Sequence, residues 1–163
     1  MVRAGLEVLE IQRGLDLDDR MQYEGRVLAL RFAKFWVLGL YVPHKESEYD
    51  HLLEQITSWT ARTNMPVVMG GDMNSVLDSS LTQGIRVHTP GVAIMVQAGL
   101  EVLEIQRDLD LDDRMQYEGR VLALRFAKFW VLGLYVPHKE SEYIHLLVQI
   151  TSWTPRANMP VVM

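Results

Sequence analysis

The chain contains no cysteine, so disulfides, thiolate metal sites and a cysteine nucleophile are all excluded. It has no long apolar run either: its most apolar stretch, residues 27–43, is interrupted by Arg31 and Lys34 and is too short and too charged to span a membrane. Basic residues are not in excess, and the net charge of −5 argues against phosphate binding through bulk positive charge. No uninterrupted apolar segment follows Met1, so we predict no signal peptide and expect an intracellular protein, in the nucleus or the cytoplasm.

The sequence does contain an almost perfect internal repeat. Residues 1–69 recur as residues 95–163, and only six pairs differ. These pairs are Arg3/Gln97, Gly14/Asp108, Asp50/Ile144, Glu54/Val148, Ala61/Pro155 and Thr63/Ala157. A unit of this size alone would bury a low fraction of its surface. We therefore expect the two units to share one core.

Each unit has the pattern of a strand, a hairpin, a helix and a further strand. Residues 6–13 roughly alternate apolar and polar side chains, which predicts a half-buried strand. Residues 26–32 and 35–42 predict a hairpin, and the second of these runs is apolar on both faces, as in a strand that is covered on both sides. Apolar residues at helical spacing predict a helix over residues 47–62.

The last strand of the unit is predicted over residues 65–69, and Gly70-Gly71 is expected to end it. The predicted organisation is a first unit over residues 1–78, a polar connector over residues 79–90 and a second unit over residues 91–163. Residues 91–96 predict an added strand that leads into the second copy. The fold class we predict is α+β.

Two of the six differences fall on one side of the predicted helix. Asp50 and Glu54 are replaced by Ile144 and Val148, which lie four residues apart and therefore on the same helical side. One interpretation is that the new apolar side is buried against the other copy or a partner, which predicts a homo-oligomer through the Ile144/Val148 face. The other interpretation is drift in an unselected sequence. Pro155 is expected to end the second helix near Thr154.

The residues that carry chemistry form an ordered set of short segments. These are Gly25-Arg26-Val27, then Tyr41-Val42-Pro43-His44, then the helix, then residues 66–74 with Gly-Gly-Asp72-Met73-Asn74. In this order and spacing the set resembles the central segment of the endonuclease/exonuclease/phosphatase family, which has the DNase I-like fold. The retrotransposon-type and abasic-site endonucleases are the subgroup it resembles most. The resemblance covers nearly the whole chain, as one family fragment used twice.

The resemblance implies a divalent-metal-dependent phosphodiesterase, with Mg²⁺ as the usual cation and nucleic acid as partner. It implies a two-sheet sandwich with outer helices. Asp72 would orient or deprotonate the attacking water, Asn74 would hydrogen-bond the scissile phosphate, and Tyr41 would stabilise the charged transition state. Without the family context, Asp72 and Asn74 could be plain turn formers and Tyr41 a sheet aromatic.

The sequence also departs from the family. His44 stands where the family commonly has Asn, and the second copy retains only Tyr135 and His138 of the set. The segments that supply the family's other metal ligands and its catalytic histidine are not found. An incomplete active site is therefore expected, and whether the chain is an enzyme stays open. The alternatives are a non-catalytic scaffold or self-association module, and a rearranged element fragment without a physiological role.

Overall fold

The computed structural model describes residues 6–15, 26–43, 46–72, 84–88, 93–97, 99–107, 121–136 and 140–163. These residues form two mixed β-sheets and two helices, which confirms the α+β class. The sheets repeat a similar strand pattern, as the duplicated sequence predicts. Asn74, His44 and His138 lie outside the described residues.

The elements follow one another in the order of the repeat. The first set is β1 (Glu10–Arg13), β2 (Val27–Arg31), β3 (Trp36–Tyr41), α1 (Glu46–Thr63), β4 (Val67–Asp72), β5 (Gly84–His88) and β6 (Ala93–Gln97). The second set is β7 (Glu104–Arg107), β8 (Val121–Arg125), β9 (Trp130–Leu134), α2 (Glu140–Trp153) and β10 (Val161–Val162). The first sheet has the strand order β1-β2-β3-β4-β6-β5, and the second has the order β10-β9-β8-β7.

The predicted hairpin and helix are confirmed in both copies. β2 and β3 are antiparallel with Leu30 opposite Val37, and β8 and β9 repeat this pairing with Leu124 opposite Val131. β3 and β4 are parallel, so the chain must cross from one end of the sheet to the other between them, and α1 makes this crossover. The carboxyl ends of β3 and β4 therefore lie at the same edge.

Helix α1 covers one face of the first sheet through its buried apolar side. Leu52, Ile56 and Trp59 are buried and belong to the same core cluster as Trp36 and Leu38 of the sheet. The rings of Trp36 and Trp59 meet edge to face with centroids 5.0 Å apart, an arrangement that aromatic pairs favour. Both tryptophans are therefore part of the buried core between α1 and the sheet.

Helix α2 packs in the same way but is shorter. Leu146 and Ile150 are buried, and the rings of Trp130 and Trp153 lie 5.1 Å apart, again edge to face. α1 continues to Thr63, whereas α2 ends at Trp153, the equivalent of Trp59. Proline removes a backbone donor and clashes with the preceding turn, so Pro155 accounts for the earlier end, as the sequence predicts.

The glycine pair and the connector differ from the sequence prediction. Gly70-Gly71 does not end β4, because both glycines pair with β3 on one side and with β6 on the other, and the strand continues to Asp72. Part of the predicted polar connector forms β5. The expectation that Gly70-Gly71 ends the strand was wrong because sheet pairing with distant strands overrides local turn preference.

In β1 an apolar side chain is more exposed than its polar neighbours. Ile11 is 60% exposed, whereas Glu10 and Gln12 are half-buried. A strand forms as predicted. Its polar side chains lie on the same face of the sheet as the helix, and there Arg31 of β2 binds Glu10. The apolar alternation therefore predicted the strand and misplaced its covered face.

The chain divides by compactness into two units. One is built mainly on Glu7–Val87 with Ala93–Leu100, and the other mainly on Glu101–Met163. β6, which begins the second repeat in sequence, belongs to the first unit. The predicted limits at residues 78 and 91 stay predictions as domain boundaries. Within the described part of the chain, neither helix is long and apolar enough to cross a membrane.

Candidate functional site

Two of the three residues singled out from the sequence lie side by side at one edge of the first sheet. Tyr41 is the last residue of β3 and Asp72 the last residue of β4, and the parallel register places them opposite each other. The backbone N–H of Val42 donates a hydrogen bond of 2.9 Å to the carbonyl oxygen of Asp72, which joins the carboxyl ends of the two strands. Ligands of open sheets with parallel strands commonly bind at such carboxyl ends.

The residue before Asp72 has to be glycine. Gly71 has a φ angle of +149°, which side-chain-bearing residues rarely adopt, and a Cβ built there would lie 1.9 Å from the carbonyl oxygen of Leu40. β3 and β4 therefore approach each other without a side chain between them at this position. This close approach brings the ends of the two strands, and with them Tyr41 and Asp72, together.

Arg26 adds a positive charge at the same edge. It immediately precedes β2, and its carbonyl oxygen accepts a hydrogen bond of 2.8 Å from the N–H of Tyr41. Its guanidinium carbon lies 5.5 Å from the centroid of the Tyr41 ring, within the range of a cation–π contact. Tyr41 itself is 47% exposed. A guanidinium, a phenol and a carboxylate thus stand at one edge, a set that can bind an anion and hold a polar group next to it.

Sequence reasoning assigned no role to Arg26, although Gly25-Arg26-Val27 was part of the motif. The signal that could have identified it is the antiparallel hairpin, because the residue before β2 must lie beside the residue that ends β3. Asn74, the third predicted residue, lies outside the described residues, and its role stays a prediction.

The described residues do not fit a magnesium site. Among them, no group of three or more histidine, aspartate or glutamate side chains could hold a metal ion. Mg²⁺ is held by several oxygen ligands in near-octahedral geometry, and Arg26 brings a cation to the edge where Asp72 supplies a carboxylate.

The second copy offers a different edge. Tyr135, the equivalent of Tyr41, is half-buried, whereas Tyr41 is exposed. The pairing of Tyr41 with Asp72 next to Gly71 lies in the first unit.

Comparison with known proteins adds no relative: no family model matches the sequence, and neither a curated protein nor a solved structure matches it. The family resemblance consequently stays a prediction based on the quoted motifs.

Proposed function

We propose that the first unit is a fragment of a phosphodiesterase-type domain that binds the phosphodiester backbone of nucleic acid at the β3–β4 edge, with an incomplete active site. The observation that supports this proposal is the pairing of Tyr41 with Asp72 at parallel strand ends, next to a glycine position that admits no side chain. Arg26 supports it further, because a guanidinium pairs well with phosphate oxygens.

Each residue of the edge has a proposed part in recognising the phosphodiester. Arg26 neutralises a phosphate oxygen, and the Tyr41 hydroxyl donates a hydrogen bond to the same group. Asp72 orients a water molecule beside the phosphorus, and Asn74 hydrogen-bonds the phosphate.

Binding of a fluorescently labelled oligonucleotide tests the proposal. Tyr41→Phe removes one hydroxyl donor, and a hydrogen bond to a charged group contributes about 1.5–3 kcal/mol, so the affinity should fall about tenfold or more. Tyr135→Phe is the matched control in the second copy and should bind like the unchanged chain. Equal affinities for both variants would contradict the proposal.

Cleavage of the same oligonucleotide with Mg²⁺ separates binding from catalysis. An incomplete site should give no cleavage above that of a buffer control. Cleavage that Asp72→Ala abolishes and Tyr135→Phe leaves intact would show that the active site is complete and functional.

The face-to-face packing of the two sheets expected from the resemblance stays a prediction, which solution scattering of the intact chain can test.

The second candidate function is a non-catalytic self-association module. The observation that favours it is an exposed apolar surface on α2: Ile144 is 52% exposed and Val148 is 61% exposed. This surface is independent of the β3–β4 edge in sequence, so the two candidate functions can be tested separately.

A further inference from the structure

Helix α2 exposes an uncharged, mainly apolar surface on the side that faces away from its own sheet. Ile144, Leu147 and Val148 are 52%, 39% and 61% exposed, and Thr151 is exposed beside them. Together with Ser152 these residues line an open groove of about 430 Å³. We call Ile144, Leu147, Val148 and Thr151 the α2 face. The buried side of the same helix, with Leu146 and Ile150, already satisfies its packing against the sheet.

The α2 face has the spacing of a helix-pairing seam. Its residues recur at three and four positions, which places them in one stripe along the helix. The spacing is also symmetric about the pair Leu147–Val148, because Ile144 precedes Leu147 by three residues and Thr151 follows Val148 by three. Two antiparallel copies related by a two-fold axis would therefore place Leu147 against the other copy's Val148, and Ile144 against its Thr151.

The charges at the two ends of the α2 face fit the same arrangement. Glu140 begins the helix and is exposed, and Arg156 lies just past the helix end and is also exposed. In an antiparallel pair centred between Leu147 and Val148, the Glu140 end of one helix meets the Arg156 end of the other. Opposite charges then face each other at both ends, which favours this orientation over the parallel one.

Helix α1 provides an internal contrast. At the positions of Ile144 and Val148 it carries Asp50 and Glu54, both exposed. Pairing two α1 helices in the same way would place Glu54 against the other helix's Leu53 and Asp50 against its Thr57. Carboxylates would then lose water at an apolar contact without a cationic partner, which is unfavourable. Of the two helices, α2 is therefore the one whose exposed face is suited to self-pairing.

We propose that the α2 face binds the α2 face of a second copy of this chain, as an antiparallel two-fold helix pair. The inference deepens the self-association function proposed above and does not depend on the β3–β4 edge. A patch of four residues with charged ends is small, and interfaces under about 1,200 Å² are typical of weak association. The dimer is therefore weak and depends on protein concentration.

Sedimentation equilibrium of the full chain over a range of concentrations tests the proposal. The weight-average mass should rise with concentration from the monomer value of 18.8 kDa towards twice that value. A mass that stays at the monomer value up to the solubility limit overturns the proposal. Oligonucleotide binding measured in the same samples keeps this outcome separate from that of the phosphodiesterase proposal.

The matched variant restores the residues of the first copy. Ile144→Asp with Val148→Glu places on α2 the side chains that α1 carries at the same positions in its own folded unit. The variant should remain monomeric at every concentration, with the helical circular dichroism of the unchanged chain. If it dimerises as strongly as the unchanged chain, association uses another surface and the proposal fails.

A charge exchange tests the antiparallel orientation. Glu140→Arg should weaken dimerisation severalfold, because it places two cations together at each end. Glu140→Arg combined with Arg156→Glu restores opposite charges and should recover the affinity of the unchanged chain. Failure of the combined variant to recover, with its circular dichroism unchanged, overturns the antiparallel arrangement.

Discussion

Gly71 and the carbonyl group of Leu40 lie so close together that no side chain fits between them. A Cβ on Gly71 would be 1.9 Å from the Leu40 oxygen, and the φ angle of +149° is one that alanine rarely adopts. Gly71→Ala should therefore lower the free energy of unfolding by at least about 2 kcal/mol, through backbone strain and overpacking. Urea denaturation followed by tryptophan fluorescence measures this change.

Gly39→Ala is the control for that substitution. Gly39 lies in the neighbouring strand β3, and the nearest atom to a Cβ placed there would be the Leu28 carbonyl oxygen at 3.9 Å, an ordinary contact. The free energy of unfolding of Gly39→Ala should differ from that of the unchanged chain by less than about 1 kcal/mol. Equal losses in the two variants would mean that any side chain in this sheet region is harmful and that the close approach at Gly71 is not special.

The residue at position 61 in the first copy, and at the equivalent position 155 in the second, should determine where each helix ends. Pro155→Ala makes α2 match α1 at this site, and α2 should then extend past Trp153, with a small rise in circular dichroism at 222 nm. Ala61→Pro should shorten α1 and lower stability by about 1–2 kcal/mol, less than the cost of a proline deep inside a helix. Amide exchange of residues 154–157 checks the extension, and unchanged exchange there would show that Pro155 does not set the helix end.

Two neighbouring leucines of α2 should differ in their effect on stability. Leu146 is 1% exposed and packs in the core, whereas Leu147 is 39% exposed. Leu146→Ala leaves a cavity and should cost about 2–5 kcal/mol, while Leu147→Ala should cost much less. Thermal and urea unfolding at a concentration where the chain is monomeric compare the two, and similar losses would argue against the packing of α2 described above.

Glu10 and Glu104 make the same contacts in the two copies. Gln12 donates to Glu10 over 2.7 Å and Arg31 donates to it over 2.7 Å, and Gln106 and Arg125 do the same for Glu104. The hydrogen bond from glutamine, and after it the arginine, hold the pKa of each carboxyl below its ordinary value, although desolvation opposes them.

These lowered pKa values predict a direction of pH dependence. A carboxyl whose pKa is lower in the folded chain stabilises the fold above its unfolded pKa, and this contribution is lost as the pH falls through the lowered folded pKa. Glu10→Gln with Glu104→Gln should therefore lower the unfolding midpoint slightly at neutral pH and lose this difference in acid. A difference that grows in acid would contradict the assignment.

Local pattern was sufficient to predict the repeated elements of this chain. The stripe of Leu52, Ile56 and Trp59 predicts α1 because helical periodicity is a property of neighbouring residues, and Pro155 predicts the shorter α2 for the same reason. The parallel crossover then brings Tyr41 beside Asp72, so two of the three candidate residues could be placed from the motif order.

The paths of β4, β5 and β6 could not be predicted in this way. Gly70 and Gly71 are local turn signals, yet they continue a strand because Ile94 and Ala93 pair with them from a segment more than twenty residues away. Arg26 joined the candidate site through the antiparallel register of the β2–β3 hairpin. Pairing between distant strands is a long-range property, which local propensity does not contain.

The amino-acid sequence by itself determined the duplicated strand–hairpin–helix pattern, the helix limits and the chemical difference between the α1 and α2 surfaces. Tertiary structure alone decided which side of each strand is covered: Leu28 is 43% exposed, whereas the identical Leu122 is fully buried. Likewise β3, expected to be covered on both faces, exposes Gly39 and Tyr41, while Val131 of β9 is buried. Identical segments have identical local preferences, but burial depends on the atoms that pack against them from elsewhere in the chain.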